Sequence, residues 1–346
     1  MVLVVAVTGG SGFIGSWIVS TLLDKGHTVR ATVRDTSNKE KTAHLTKLAE
    51  GKPGKLELWQ ADLFEDGAFD ECFKGANVVV HSAAVVSNAR AVKDPIKDIV
   101  DPSVKGTQNV IDSIVKSGTV TRVVHTSSIA AIQTYDKDPG YIFTERDWND
   151  WSSEANGDYY GIAKVKAEEN MRAAGEEHGF QVVAINPGVV FGPCLTKAHT
   201  KASPVFVRQF LYGNTQPDAK FTWVDVREVA EAHAFCVDGD GVAGRRFILC
   251  GDHDTHFAQI STLAEQCQKA VPDIKLEGPV HSGLLYNLAW YLRMNAFEKA
   301  VIETPIQLSN EASKQVLGIK YRPAAETLKD TIDSMVSTGF VKARKL

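Results

Sequence analysis

Residues Val2 to Val7 form an unbroken apolar run that stops at the glycine-rich stretch TGGSGFIG, 8–15. That is the pattern of a strand buried on both faces of a parallel sheet and ending in a tight turn. Apolar residues then recur at helical spacing through Ile14, Trp17, Ile18 and Leu22, and Gly26 ends the pattern before the strand-like TVRATVR of 28–34. The opening of the chain therefore predicts strand, helix, strand.

The alternation continues in LELW (56–59), NVVVHSA (77–83), TRVVHTSS (121–128) and FQVVAINP (180–187), with intervals long enough for crossover helices. Such spacing predicts an α/β fold built on a doubly wound parallel sheet. After Pro187 the rhythm breaks into a Pro/Gly-punctuated segment through Pro217. It returns as FTWVDVREVAEAHAF and RRFILCG before a mainly helical C-terminal region. The expected division is a cofactor-binding domain over 1–187 and 221–250 and a smaller substrate domain over 188–220 and 251–346. Within the latter, LLYNLAWYLRMNAF (284–297) places Leu285, Leu288, Leu292 and Ala296 on one face of a packed helix.

Charge removes several function classes. With 38 basic and 42 acidic residues the formal charge is -4, which offers no cationic surface to a nucleic acid or an anionic membrane. No apolar run approaches the roughly 18 residues of a membrane span, and MVLVVAV lacks the basic flank of a signal peptide. The cysteines 72, 194, 236, 250 and 267 are odd in number, scattered and never in C-x-x-C, which predicts reduced thiols in a cytosolic protein. CGDHDTH (250–256) gathers Cys250, His253, Asp254 and His256, but no second ligand group is evident for the four a zinc site needs, so no metal is expected. Asp225 has the composition of a helix N-cap.

Three short motifs carry chemistry. The glycine turn has two parsings, Gly10-Gly12-Gly15 or Gly9-Gly12-Gly15, and either lets backbone N–H groups approach a pyrophosphate at a helix N-terminus. In YYGIAK (159–164), Tyr160 and Lys164 stand four apart and share one helix face, whereas Tyr159 is paired with Ala163. An ammonium beside a phenol favours the phenolate, so such a tyrosine can exchange a proton with a carbonyl oxygen. TSS (126–128) ends a predicted central strand, where open α/β sheets bind ligands.

Together, TGGSGFIG, the strand-end serine and YGIAK resemble the extended short-chain dehydrogenases/reductases. Their pattern selects Thr8, Gly9, Gly12 and Gly15 and leaves Gly10 variable. GHTVRATVRD, ADL (61–63), RVVHTSS, YYGIAKVKAE and INPGVVFGP extend the resemblance nearly end to end, towards the branch of dihydroflavonol reductases, cinnamoyl-CoA reductases and fungal aldehyde/ketone reductases. The resemblance implies a Rossmann fold with a mainly helical C-terminal substrate domain, and NADP(H) as cofactor. It makes Ser128 the catalytic serine, with Ser127 as the fallback, Tyr160 the acid/base, and Lys164 the residue that binds the nicotinamide ribose.

Carried over residue by residue, the cofactor contacts are Thr8, Gly9, Gly12, Phe13, Ile14 and Gly15 at the turn, and Arg34 and Lys41 at the adenosine 2′-phosphate. Asp62 and Leu63 fall at the adenine, and Ala83 near the pyrophosphate and ribose. Thr126, Tyr160 and Lys164 follow, then Pro187, Val189 and Val190 along the nicotinamide, and Ser203 as a later contact. Gln133 falls where dihydroflavonol reductases carry a substrate-touching asparagine. NGDYYGIAK departs from the NWYCYxK run of cinnamoyl-CoA reductases, which argues against an acyl-CoA substrate. The resemblance thus implies an NADPH-dependent reductase of a small-molecule aldehyde or ketone. A 3β-hydroxysteroid dehydrogenase or sugar-nucleotide epimerase shares the triad, and an NADP(H)-sensing regulator without turnover is the alternative from another class.

Overall fold

A computed structural model of the chain describes residues 2–84, 92–214, 216–278, 291–342 and 344–345. Its strands are β1 (Val4–Thr8), β2 (Thr28–Val33), β3 (Lys55–Gln60), β4 (Val78–His81), β5 (Arg122–Thr126) and β6 (Ile142–Phe143), then β7 (Gln181–Pro187), β8 (Val189–Phe191), β9 (Lys220–Asp225), β10 (Arg246–Leu249) and β11 (Phe257–Gln259). The helices that matter below are α1 (Phe13–Asp24), α2 (Lys39–Ala49), α3 (Asp70–Phe73), α4 (Asp101–Ser117), α5 (Tyr159–His178), α6 (Val205–Tyr212), α7 (Val226–Asp238), α8 (His253–His256) and α9 (Ile260–Ala270).

Seven strands form one sheet in the order β10-β7-β5-β4-β1-β2-β3, and every pairing in it is parallel. The expected doubly wound sheet is therefore present. The continuous apolar runs follow from burial on both faces: Val5 and Val7 pack with α1 and α7, whereas Ala6, Val79 and Val123 pack with α3, α4 and α5. Strand order reverses between β1 and β4, so their C-terminal ends diverge and leave the crevice in which such sheets bind ligands.

Three departures come from the second half. β8 and β9 leave the main sheet and join β11 in a three-stranded sheet, so FTWVD is a strand of that smaller sheet. Gly188 makes the exit possible, because a Cβ there would lie 2.6 Å from the Thr222 carbonyl oxygen. The apolar core does not stop at the expected boundary either: one cluster runs from Val5 and Ile18 through Trp223 and Leu263 to Leu328, Ile332 and Met335. In the stretch 284–297, Leu285 and Leu288 lie outside the described residues. Leu292 is 71% exposed and Ala296 opens a separate helix, Ala296–Glu303, because Asn295 and Glu298 form a capping box. Asp225 is the N-cap of α7 as its composition suggested, with Glu228 completing the box.

CGDHDTH forms no convergent ligand set: Cys250 and His256 are buried, and His256 packs on Trp223 at 5.4 Å. Among the described residues no three His, Cys, Asp or Glu side chains come together as a metal-binding group. No helix of the described residues is long and apolar enough to cross a membrane.

Candidate active site

Sterics constrain the glycine turn at several positions. Gly9 has φ +68° and its missing Cβ would stand 2.9 Å from the Ala83 Cα, so β1 and β4 close together only over a glycine. A Cβ on Gly15 would lie 2.2 Å from the Gly9 carbonyl oxygen, which fixes how closely α1 packs on the loop. Gly12, by contrast, would meet only the Gly9 oxygen at 3.2 Å and otherwise faces open space. It is the N-cap of α1 and contributes no side-chain cap, so the first-turn N–H groups are left for a ligand. One expectation is corrected: Gly10 is not a freely variable position, since its Cβ would come 2.8 Å from that of Ala31 on β2.

Thr8 is a fastener. Its hydroxyl oxygen accepts from the N–H of Ser82 and Ala83, both at 3.1 Å, and lies 2.9 Å from His81 Nδ1. With both acceptor positions used, the hydroxyl proton goes to Nδ1, and His81 carries its own hydrogen on Nε2. Burial, with Lys164 adding to it, holds His81 down to about 3, so this imidazole is neutral.

The chemistry-bearing helix starts where it does because Asp158 caps it, accepting from the Gly161 N–H at 3.0 Å while Ser152 donates to its other oxygen at 2.5 Å. Gly161 is obligatory in this corner, as a Cβ would lie 2.2 Å from Ser152 Oγ. Tyr160 is half-buried, and Lys164 is buried with Nζ donating to the Thr126 carbonyl at 3.2 Å and 5.9 Å from the Tyr160 ring centre. Leu63, Ala83, Thr126, Tyr160 and Lys164 line one cavity of about 20 Å³. Five residues nominated from separate motifs thus converge at the sheet's C-terminal edge.

The two serines part company. Ser127 is buried and donates to Glu168 Oε2 at 2.5 Å, so its hydroxyl is committed inside the protein. Ser128 accepts from the Ala130 N–H at 3.1 Å, capping the turn Ile129–Ala131, and no hydrogen bond among the described residues takes its own proton. The Thr126 hydroxyl also turns away from the cavity, to His233 Nε2 at 2.8 Å. His233 donates from Nδ1 to the Val229 carbonyl, and burial holds it at about 4. Thr126 offers the site its backbone rather than its hydroxyl.

Arg34 and Lys41 are exposed at the end of β2 and the start of α2. Asp35 beside them accepts from the Ser37 N–H and hydroxyl at 2.9 and 2.6 Å, and chiefly the hydroxyl bond holds its carboxyl below the usual range. Asp62 is half-buried and accepts from the Phe64 N–H, while Leu63 packs against Gly106 of α4. Pro187 ends β7. Val189 is half-buried, but Val190 is a core residue at 2% exposure, with its side chain packed inside. Ser203 is half-buried ahead of α6. Gln133 donates to the Tyr135 hydroxyl at 3.0 Å, within an aromatic group of Tyr135, Trp151 and Phe297.

Motif reading missed two clusters. His44 and His199 flank the glycine turn: the Ser16 hydroxyl donates to Gly10 O and therefore accepts from His44 Nε2 at 2.8 Å, while His199 Nε2 donates to Ser11 O at 3.1 Å. Burial, then His199, holds His44 at about 4. The second is a buried quartet of Ser127, Glu168, Asn186 and Arg246. Ser127 is the fallback serine of TSS, and of the other three Glu168 alone had a sequence signal, because Tyr160, Lys164 and Glu168 repeat every fourth residue on α5.

Comparison with known proteins follows the same outline. Residues 5–250 match the model of the NAD dependent epimerase/dehydratase family. The chain is 33% identical over 344 residues to a cinnamoyl-CoA reductase of Medicago truncatula, covering 97% of each. It is 34% identical over 266 residues to a dihydroflavonol 4-reductase of Arabidopsis thaliana, covering 74% of this chain and 67% of that one. Among solved structures, Gre2 of Candida albicans in complex with NADPH superposes with a TM-score of 0.79 at 28% identity, covering 97% and 99%. The yeast methylglyoxal/isovaleraldehyde reductase Gre2 complexed with NADPH gives 0.78 at 26%, covering 98% and 100%.

Proposed function

The chain belongs to the NAD dependent epimerase/dehydratase family, the extended short-chain dehydrogenases/reductases, and on that premise we propose that it is a carbonyl reductase converting an aldehyde or ketone to the alcohol. It is an NADP-dependent oxidoreductase. The observation that carries the reading is the convergence of Leu63, Ala83, Thr126, Tyr160 and Lys164 on one cavity at the end of the crevice.

The residues present suit the cofactor. Gly12 and the uncapped start of α1 suit a pyrophosphate, and exposed Arg34 and Lys41 suit a 2′-phosphate, which a guanidinium meets with bidentate, charge-assisted bonds. Bound there, NADPH supplies the hydride. Tyr160 then donates its phenolic proton to the carbonyl oxygen. Ser128, whose proton no described residue takes, donates a hydrogen bond to the same oxygen and orients it. Lys164, anchored by one hydrogen bond to Thr126 O, directs its remaining N–H groups to the ribose and holds positive charge beside Tyr160. Pro187, Val189, the backbone of Val190 and Ser203 complete the cofactor wall in this reading.

We divide the chain into a cofactor domain, residues 1–187 and 221–250, and a substrate domain, residues 188–220 and 251–346, with the β11-β9-β8 sheet crossing the division. Gln133, amid Tyr135, Trp151 and Phe297, favours small or medium apolar carbonyls. The five free, buried cysteines, four of them with thiols pushed up to about 12 by burial, suit a cytosolic protein. A panel of aldehydes, ketones, acyl-CoA thioesters and alcohols, followed by NADPH absorbance, tests the assignment. Oxidised cofactor released with each turnover supports a reductase, retention with inversion of a sugar nucleotide supports an epimerase, and a thioester preferred over every free carbonyl overturns the substrate class.

A further inference from the structure

Two helical turns beyond Tyr160 on α5, Glu168 forms a buried ion pair with Arg246. Glu168 and Arg246 have side chains 0% and 4% exposed, joined through Oε1 and Nε at 2.6 Å. Removing two charges from water costs several kcal/mol per ion unless the remaining protons and lone pairs are met, and here all five guanidinium N–H groups find acceptors while Glu168 Oε2 accepts three hydrogen bonds. The other guanidinium N–H groups reach the carbonyls of Ala131 at 3.0 Å, Asp147 at 2.5 Å and Glu145 at 3.3 Å, and Glu168 Oε2 at 3.4 Å. The Trp148 ring covers the Arg246 Cζ at 3.9 Å. Oε2 also accepts from Ser127 Oγ at 2.5 Å and Asn186 Nδ2 at 2.9 Å, and Asn186 donates as well to the Ser128 carbonyl at 3.1 Å.

These bonds join five stretches of the chain. Glu168 rides on α5 one turn beyond Lys164 and two beyond Tyr160. Ser127 and Ser128 follow directly on β5, Asn186 belongs to β7, and Arg246 opens β10. The carbonyls of 131–147 belong to the segment that carries Gln133. The Tyr160 helix, the Ser128 backbone and that segment are thus referred to one carboxylate.

We infer that Glu168 and Arg246 are the positioning pair of the reaction proposed above: they set the placement of Ser128 against Tyr160 and of the 131–147 segment against both. The inference rests on that reading of Ser128 and Tyr160. Neither Glu168 nor Arg246 lines the cavity, so their loss acts through the placement of Ser128 and Tyr160, on turnover rather than on cofactor affinity. Misplacement of reacting groups by about 1 Å costs on the order of a hundredfold in rate.

The test uses the full chain, with Kd for NADPH from fluorescence titration and kcat and KM on the best carbonyl of the panel. Glu168→Gln leaves Arg246 charged and unpaired, so it loses stability as well as rate. The double variant Glu168→Leu with Arg246→Met replaces the pair by apolar groups of similar size, a change that is often neutral or stabilising for the fold. Ser127→Ala removes one donor and spares the pair. We expect the double variant to melt no lower than Glu168→Gln, to bind NADPH within about twofold of wild type, and to lose roughly ten- to a hundredfold in kcat. Ser127→Ala should lose kcat several-fold with unchanged NADPH affinity. A folded double variant with kcat within threefold of wild type makes the pair mere ballast and overturns the inference. So does a loss confined to NADPH affinity. A wild type that binds NADPH yet reduces nothing in the panel overturns the reductase reading itself, and the positioning role with it.

Discussion

Gly12 and Gly15 of the turn make separable predictions, because their missing Cβ atoms would meet different things. On Gly15 a methyl would sit 2.2 Å from the Gly9 carbonyl oxygen and 3.0 Å from its carbon, an overlap of about 1 Å with backbone that cannot rotate away. Overpacking of that kind costs roughly 1–3 kcal/mol, offset by about 0.5–1 kcal/mol because alanine suits a helix better than glycine. For a chain of 346 residues the net loss, up to roughly 2.5 kcal/mol, corresponds to a fall in Tm of up to roughly 3.5 °C. On Gly12 the methyl would meet only the Gly9 oxygen, at 3.2 Å, and would otherwise point where backbone must approach a pyrophosphate. Gly12→Ala should therefore leave Tm of the unliganded protein within about 1 °C. It should weaken NADPH by roughly ten- to a hundredfold, the worth of one charge-assisted hydrogen bond. Thermal melts without cofactor and fluorescence titration with NADPH measure the two quantities independently. Equal losses of Tm in the two variants, or a Gly12→Ala protein that binds NADPH as wild type does, would refute this partition of roles.

Tyr160→Phe should keep NADPH affinity while kcat falls by ~10² to 10⁴, the usual worth of general acid catalysis; retention of most of the wild-type kcat would remove Tyr160 from its role. Arg34→Ala should weaken NADPH by about one to two orders of magnitude and leave NADH nearly unchanged, since the Asp35 carboxylate is already bound by Ser37. Equal weakening of both cofactors would deny Arg34 the phosphate. Burial pushes the Glu228 carboxyl up to about 7, against an ordinary value of 4.5. A group whose folded value is raised contributes stability that is present below its unfolded value and is lost as pH rises through the folded one. The gap corresponds to roughly 3 kcal/mol at most. Wild type should therefore lose Tm relative to Glu228→Gln as pH rises from 5 to 8, and a difference that stays flat across that range would contradict the assignment.

Short-range spacing carried much of this protein. Continuous apolar runs with helical intervals determined the doubly wound sheet, because a strand covered on both faces has no polar side to alternate. The four-residue interval placed Tyr160 and Lys164 on one face of α5 wherever that helix came to rest, and the glycine spacing identified the turn. What lay beyond reach depended on residues distant in sequence. Whether Ser127 or Ser128 keeps a free proton is decided by Glu168, 41 positions on, and that carboxylate is itself held by Arg246, 78 positions further. Gly10 is constrained by Ala31 across the β1–β2 pair, Thr126 is turned away by His233, and Val190 is drawn into the core where β8 leaves the main sheet for β9. Periodicity reports which face of an element is buried. Only packing decides what it is buried against, and a buried polar atom takes its role from the partner that satisfies it.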